Sequence, residues 1–443
     1  MSEYQLQLQQ ARALLRSGDA QQAFQTFRPL LRYPGLVKQP AEFSEALQVL
    51  ADISAQIAGA EFASLLRTAA RTPTDVRVLY RTGYELIEYD LGDMAATILA
   101  RAHQLEPDNI EVLHELSAAL EREMNYPEAR RFLQQASGLA QDHFLTCYLL
   151  AFNSLMSGDI ETPRRLFPDL QRLQAQDASF AQMAERIAVL LERAEALRGS
   201  TPLDTHDLRG WHLALTGGLL LHLSPHGFDQ PMYGRYAWVQ DSYGLCLLGI
   251  LRVQAVLKTL QLEVPCIWLL PDRNSQILAH ATAHVLEVPL KPWPEDGSQE
   301  PGLVVAYDLS HLDGKTLVSV RYHHPGQILW GHASCWTKDQ PVSADLTTFL
   351  YQSNTEPWGK QLIVDPEHPQ TTLSQADERD PAVMAAELVA STPEAGLPED
   401  EPGLLALTHA AATVEKNILA LLEAKGQRPQ QWAGSPVPSS FFL

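Results

Sequence analysis

The sequence predicts a multidomain chain. An all-α solenoid of helical repeats covers 1–198, and an α/β domain with a mainly parallel sheet covers 202–365. A flexible acidic, Pro-rich linker (366–402), an amphipathic C-terminal helix (403–426) and a tail (427–443) follow. Three observations carry this prediction. Residues 1–198 keep a nearly unbroken helical periodicity with few glycines and prolines. Composition shifts at Arg198-Gly199-Ser200-Thr201-Pro202, after which Trp, His and Gly become common. The runs VPCIWLL (264–270) and LVVAYDL (303–309) are apolar without alternation, the pattern of strands buried on both faces.

The 443 residues are enough for two or three domains, and a hydrophobic fraction of 45% supports sizeable cores. A net charge of −20 argues against nucleic acid and anionic membrane as partners. Cys147, Cys246, Cys266 and Cys335 are far apart and form no CxxC pair, so neither a zinc ribbon nor a disulfide framework is indicated. MSEYQLQLQQ lacks the basic and apolar regions of a signal peptide. The most apolar stretch, 245–257, is short and contains Arg252 and Gln254, so a buried helix is expected rather than a membrane span. The expected location is cytoplasmic.

The helical region is self-similar. Pro73 and Pro107 lie 34 residues apart and enclose Leu79, Gly83, Leu86, Ala95, Leu99 and Ala102. The next block carries Leu113, Leu116, Ser117, Leu120, Ala129, Leu133 and Ala136 at the same offsets, and the first gives Ala11, Leu14, Ala23, Phe27 and Leu30. Gly18-Asp19, Gly92-Asp93 and Gly158-Asp159 fall where a turn between paired helices belongs. Small residues let helix axes approach, and larger ones interdigitate around them. This pattern resembles the tetratricopeptide repeat over roughly 190 residues, with 76–143 the best match. In the 144–177 block Pro163 takes the place of the small crossing residue, and 165–198 fits a capping helix. The resemblance implies a concave face that binds a protein or peptide partner. Arg81, Asn109 and Asn125 are polar candidates for that face and equally fit solvated surface.

In the second half, WHLALT and LLLHLS joined by Gly217-Gly218 predict a hairpin over 211–224. Asp241-Ser242 predicts the cap of a buried helix running to about residue 260. Strand 264–270, the loop 271–275, a helix starting from Asn274 or Ser275 and a short strand at 288–290 form a βαβ unit. A strand at 303–309 and further strands at 316–322 and 327–336 follow. Open α/β sheets bind ligands at the carboxyl ends of their strands, beside helix N-termini.

The loop PDRNS and the later VVAYDLSHLDGKTL resemble the type I phosphoribosyltransferases over about 60 residues. The resemblance implies pyrophosphate contacts from Arg273, Asn274 and Ser275, and ribose-phosphate contacts from Asp308, Asp313, Gly314 and Thr316. It also implies Mg²⁺ as cofactor, although no cofactor is otherwise evident. The chain departs from the family where a second carboxylate should precede Asp308, because Tyr307 stands there. His311 and Leu312 replace small polar residues, and a strand-like run replaces the following helix.

Ten of the fifteen histidines lie between 206 and 332. His280 and His284 share a helix face at metal-compatible spacing, but Ala281 stands where a zinc protease has its Glu. Such a pair equally suits ordinary surface hydrogen bonding. His323-His324 is a further pair, and GxSxG, GxxxxGK[ST] and GxGxxG are absent. Within the linker, 383–389 fits a short helical turn. Residues 404–424 place Leu404, Leu407, Ala411, Val414, Ile418 and Leu422 on one helix face, with Gly426 as the stop and Phe441-Phe442-Leu443 as a docking or disordered end. The leading expectation is an interaction or scaffold protein with an α/β domain of uncertain activity, leaning away from an enzyme. The alternative is a phosphoribosyltransferase- or glycosyltransferase-like enzyme, or a binder of nucleotides or sugar phosphates, using the 271–275 and 308–316 loops.

Overall fold

The computed structural model describes residues 2–136, 138, 142–229, 231–364, 371–414, 418–422 and 426–440. It contains two compact units, Met1–Ala188 and Val189–Leu443. The first is all-helical and the second is an α/β unit with a parallel sheet and a C-terminal helix, as the sequence predicts.

Among the described residues of the first unit, ten helices form five consecutive pairs. These are α1 (Glu3–Arg16) with α2 (Ala20–Leu31), α3 (Pro40–Ile57) with α4 (Ala60–Arg71), and α5 (Val76–Glu88) with α6 (Gly92–Leu105). Two more follow, α7 (Ile110–Arg122) with α8 (Tyr126–Gln135) and α9 (Phe144–Leu155) with α10 (Glu161–Gln174). The second helix of each pair also packs on the first helix of the next. The recurring small positions are buried where helices cross. At Gly83 a Cβ would lie 2.4 Å from Leu99 Cγ, so only glycine lets α5 approach α6 this closely. Ser117 and Ala151, one and two repeats on, are fully buried. Gly18 and Gly158 turn the chain with positive φ, but between α5 and α6 that role falls to Asp90, while Gly92 starts α6. A Cβ at Gly92 would meet the Ala119 carbonyl at 3.0 Å. Asp19, Asp75 and Asn109 cap α2, α5 and α7, which gives Asn109 a structural task. Helix α11 (Ala181–Ala196) carries the chain from the first unit into the second.

The second unit contains α12 (Leu208–Thr216), β1 (Leu219–Leu220), β2 (Tyr236–Gln240), α13 (Tyr243–Thr259), β3 (Ile267–Leu269), α14 (Arg273–Leu286), β4 (Leu290–Pro292) and β5 (Gly302–Asp308). Then come α15 (Gly314–Val320), β6 (Tyr322–His323), β7 (Gln327–Cys335), β8 (Leu346–Thr355), β9 (Leu362–Val364), β10 (Thr371–Leu373), α16 (Pro381–Ala390), α17 (Asp400–Ala412) and β11 (Gly426–Gln427). The main sheet runs β1-β8-β7-β5-β3-β4, with β2 also beside β8, and every pairing in it is parallel. β5 is buried along its whole length. Its Val304 and Ala306 join Trp268, Leu270, Val320 and Leu329 in one core, and its alternate residues point to the opposite face, where α14 packs.

Several elements differ from the prediction. The expected hairpin at 211–224 is helix α12, capped by Asp207 and closed by Gly217 at φ +74°, followed by β1 in parallel register with β8. Gly217-Gly218 therefore ends a helix instead of turning a hairpin. The strand expected at 316–322 is helix α15, because Asp313 accepts hydrogen bonds from the amides of Lys315 and Thr316 and caps it. Asp272, not Asn274 or Ser275, caps α14. β8 escaped the sequence reading because its buried Thr347 and Thr348 interrupt the apolar run. The segment expected as a flexible linker contains α16, which buries Met384, Ala385 and Leu388 and packs on α14 and α13. The C-terminal helix ends at Ala412 rather than near Gly426. Residues 415–417 and 423–425 of the predicted helix, and Phe441, Phe442 and Leu443, lie outside the described residues. Part of the expected tail is packed: Arg428 is buried against Asp345 at 2.8 Å, and Gln340 and Gln431 bond reciprocally through their backbones. No helix among the described residues is long and apolar enough to cross a membrane.

Candidate functional site

The carboxyl ends of β2, β5 and β8 converge on a buried polar network. Asp241 follows β2 directly. Its Oδ1 accepts from the Ser242 amide at 2.7 Å, and the Ser242 hydroxyl caps α13. This turn brings Cys246, in the first turn of α13, back onto the Asp241 carboxylate. Asp241 Oδ2 accepts from the Tyr307 hydroxyl at 2.7 Å, lies 3.2 Å from His332 Nε2 and accepts from the Cys246 thiol at 3.5 Å. Asn354 Nδ2 donates to the Tyr307 hydroxyl at 3.1 Å, and the Tyr307 amide donates to Ser275 Oγ at 3.0 Å. Asp241, Tyr307 and His332 are essentially inaccessible, as is Cys246. Burial, then the Asp241 charge, pushes the Cys246 thiol and the Tyr307 hydroxyl well above their ordinary pKa values. Cys246 is therefore a thiol in this setting, not a nucleophile.

Of the residues expected to bind phosphate and ribose, all except Gly314 have their side chains partnered inside the protein. Arg273 donates to the carbonyls of Asp377 and Arg379, tying α14 to the segment before α16. Asn274 donates to Glu356 at 3.2 Å and accepts from the Trp358 indole at 2.7 Å. Ser275 is fully buried against β5. Asp308 accepts from the Tyr351 hydroxyl through one oxygen and from the Ser310 amide and hydroxyl through the other. Asp313 and Thr316 are held in the cap of α15, beside Gly314. The two loops do adjoin. Glu356, just past β8, reaches Asn274 from one loop and lies 3.6 Å from His311 in the other. Arg273 and Asp308 nonetheless engage different partners. A Mg²⁺–ribose site does not fit these residues: Asp308 and Asp313 each have both carboxylate oxygens engaged inside the protein, and the Asp272 carboxylate already occupies the α14 N-terminus.

Among the described residues the predicted histidine pair gathers no third ligand. His284 is exposed on α14, and among the described residues the group of three close enough to share a metal is Asp241, Cys246 and His332. His323 bonds the Gln327 carbonyl at 3.0 Å. In the sequence Asp241 has the pattern of a helix cap, Cys246 lies in an apolar run and Tyr307 stands where a carboxylate is expected; only the crowding of histidines between 206 and 332 hints at His332.

A second buried network surrounds Asp400, at the start of α17. Asp400 pairs with Arg209 and with His222 Nδ1 at 2.9 Å, and Arg252 lies 3.6 Å away. Burial pushes the Asp400 carboxyl up, but the His222 hydrogen bond and the Arg209 charge hold it below its ordinary value. This network anchors α17 to α12, α13 and the segment after β1. A cleft of about 480 Å³ beside β2 is lined by Ser224, His226, Tyr236, Trp238 and Glu394, within the size range of small-molecule sites. No family model matches the chain, and no curated protein matches it by sequence.

Proposed function

We propose that this is a cytoplasmic protein–protein interaction protein whose first unit is a tetratricopeptide-like binding module. The observation that carries the reading is the face made by the first helices of successive pairs. α5 and α7 pack side by side, as do α7 and α9. Tyr84 on α5 is 44% exposed, and Glu88 and Glu111 are exposed beside half-buried Tyr80 and Glu115. Burial, then Glu115 and Glu111, raises the Tyr80 hydroxyl pKa, and burial, then Glu88, raises that of Glu115. The carboxylates of Glu111 and Glu115 lie close enough to act on Tyr80, and that of Glu88 on Glu115. Aromatic faces among carboxylates suit a segment bearing Lys or Arg, through ion pairing and cation–π contact. Four unpaired, buried cysteines support a reducing compartment. The second unit, with its candidate residues engaged internally, is read as a folded platform without the transferase chemistry.

The test is binding of labelled Lys/Arg-rich and Glu/Asp-rich peptides to the full chain, measured by fluorescence anisotropy. Basic peptides should bind in preference, and Glu111→Lys with Glu115→Lys should weaken them by tenfold or more. Equal binding by that variant, with its fold intact by circular dichroism, would remove the α5–α7 face from the proposal.

A further inference from the structure

We propose that Asp241, Cys246 and His332 form a binding site for a divalent metal ion of the zinc class, built into the second unit. The ligands come from three elements of the fold: the end of β2, the first turn of α13 and the middle of β7. One ligand atom from each lies within 4.8 Å of the other two.

The spacing fits the coordination chemistry. Zinc binds a carboxylate oxygen and an imidazole nitrogen at about 2.0–2.2 Å and a thiolate at about 2.3 Å. In a tetrahedron those lengths put oxygen and nitrogen about 3.3 Å apart, and oxygen and sulfur about 3.5 Å apart. Asp241 Oδ2 lies 3.2 Å from His332 Nε2 and 3.5 Å from Cys246 Sγ. Two edges of the tetrahedron are therefore already in place.

Charge points the same way. Among the described residues no Lys or Arg forms an ion pair with Asp241; the carboxylate's partners there are the Ser242 amide and the Tyr307, His332 and Cys246 side chains. A buried carboxylate without a cation is costly. A divalent ion held by one carboxylate, one thiolate and a neutral imidazole gives a neutral site. On binding, the Cys246 S–H bond breaks, the sulfur donates its electron pair to the metal, and the proton leaves to solvent. Tyr307, donating to the Asp241 carboxylate and itself receiving the Asn354 amide, would orient that ligand from outside the coordination sphere. The ion mix of N, O and S donors favours zinc or cobalt over magnesium or calcium, which take oxygen ligands. Because all three ligands are buried, the metal would enter as the chain folds.

The test uses the full-length chain produced in zinc-supplemented cells, desalted, with bound metal measured by mass spectrometry. The expected content is about one zinc per chain. It should fall about tenfold or more in Cys246→Ser and in His332→Gln, and stay unchanged in Cys266→Ser and His284→Ala. Chain produced with cobalt in place of zinc should show a thiolate-to-cobalt charge-transfer band that Cys246→Ser lacks. Should a variant fail to fold, the wild-type metal content and cobalt spectrum decide alone. Wild-type chain holding well under half an equivalent of zinc, or Cys246→Ser retaining the wild-type content, overturns the proposal.

Discussion

Single residues show where burial and charge oppose one another. Glu121 on α7 accepts from Asn153 Nδ2 at 2.6 Å. Burial lifts its carboxyl pKa to about 7, against the lowering effects of Asn153 and of the Arg186 charge. Arg186 also donates to the Tyr148 hydroxyl and lies 4.2 Å over the Phe152 ring. The folded state thus holds a proton that the unfolded chain releases above its ordinary value of 4.5. Stability from this group therefore falls as pH rises from about 4.5 to about 7, by on the order of 3 kcal/mol, and the deficit persists above that window. Glu121→Gln should remove the penalty. Thermal melts of the full chain should show the variant stabilised at pH 8 and little changed at pH 5. Equal shifts at both values would mean that the wild-type carboxylate is not titrating in that range.

At the scale of elements, capping and anchoring decide what periodicity leaves open. Segment 316–322 has the β-branched content of a strand, yet Asp313 gives it a helix start and Val320 buries its end in the sheet core. α16 lies in a stretch with the composition of a linker, yet its three buried side chains seat it on α14 and α13. Arg273 secures the approach to α16 through the Asp377 and Arg379 carbonyls. Arg273→Ala should lose about 1–3 kcal/mol of local stability by leaving those bonds unmade. Limited proteolysis should then cut 371–402 faster than in wild type, with 203–360 protected in both. Rapid cutting of 371–402 in wild type, at the variant's rate, would mean that Arg273 does not hold the segment.

For the whole molecule, charge is the property that every residue shares in setting. On the proposed reading, a net charge of −20 favours basic partners over nucleic acid, and the Tyr–Glu face of α5 and α7 would present that charge on a surface. Screening shortens the range of such interactions from about 10 Å at 0.1 M salt to about 3 Å at 1 M. Affinity for a Lys/Arg-rich peptide should therefore fall several-fold between those limits, read by the same anisotropy titration. An affinity that does not change with salt would show that the contact is apolar and that charge complementarity does not select the partner.

By itself the sequence determined the fold class. Helical periodicity marks the first unit, and long apolar runs mark β3 and β5 as buried parallel strands, because both signals lie in consecutive residues and depend only on solvent exclusion. The tertiary structure decided the rest. WHLALT and TLVSV became helices because caps and packing outweighed their local strand character, and β8 became a central strand because its threonines could be buried among sheet neighbours. The candidate site follows the same division. Its loops were legible at the ends of apolar runs, but the meeting of Asp241, Cys246, Tyr307 and His332 was not. Ninety-one residues separate Asp241 from His332, and only the parallel stacking of strands brings their side chains together. The same stacking turned Arg273 and Asp308 toward partners inside the protein, a fate that no local pattern records.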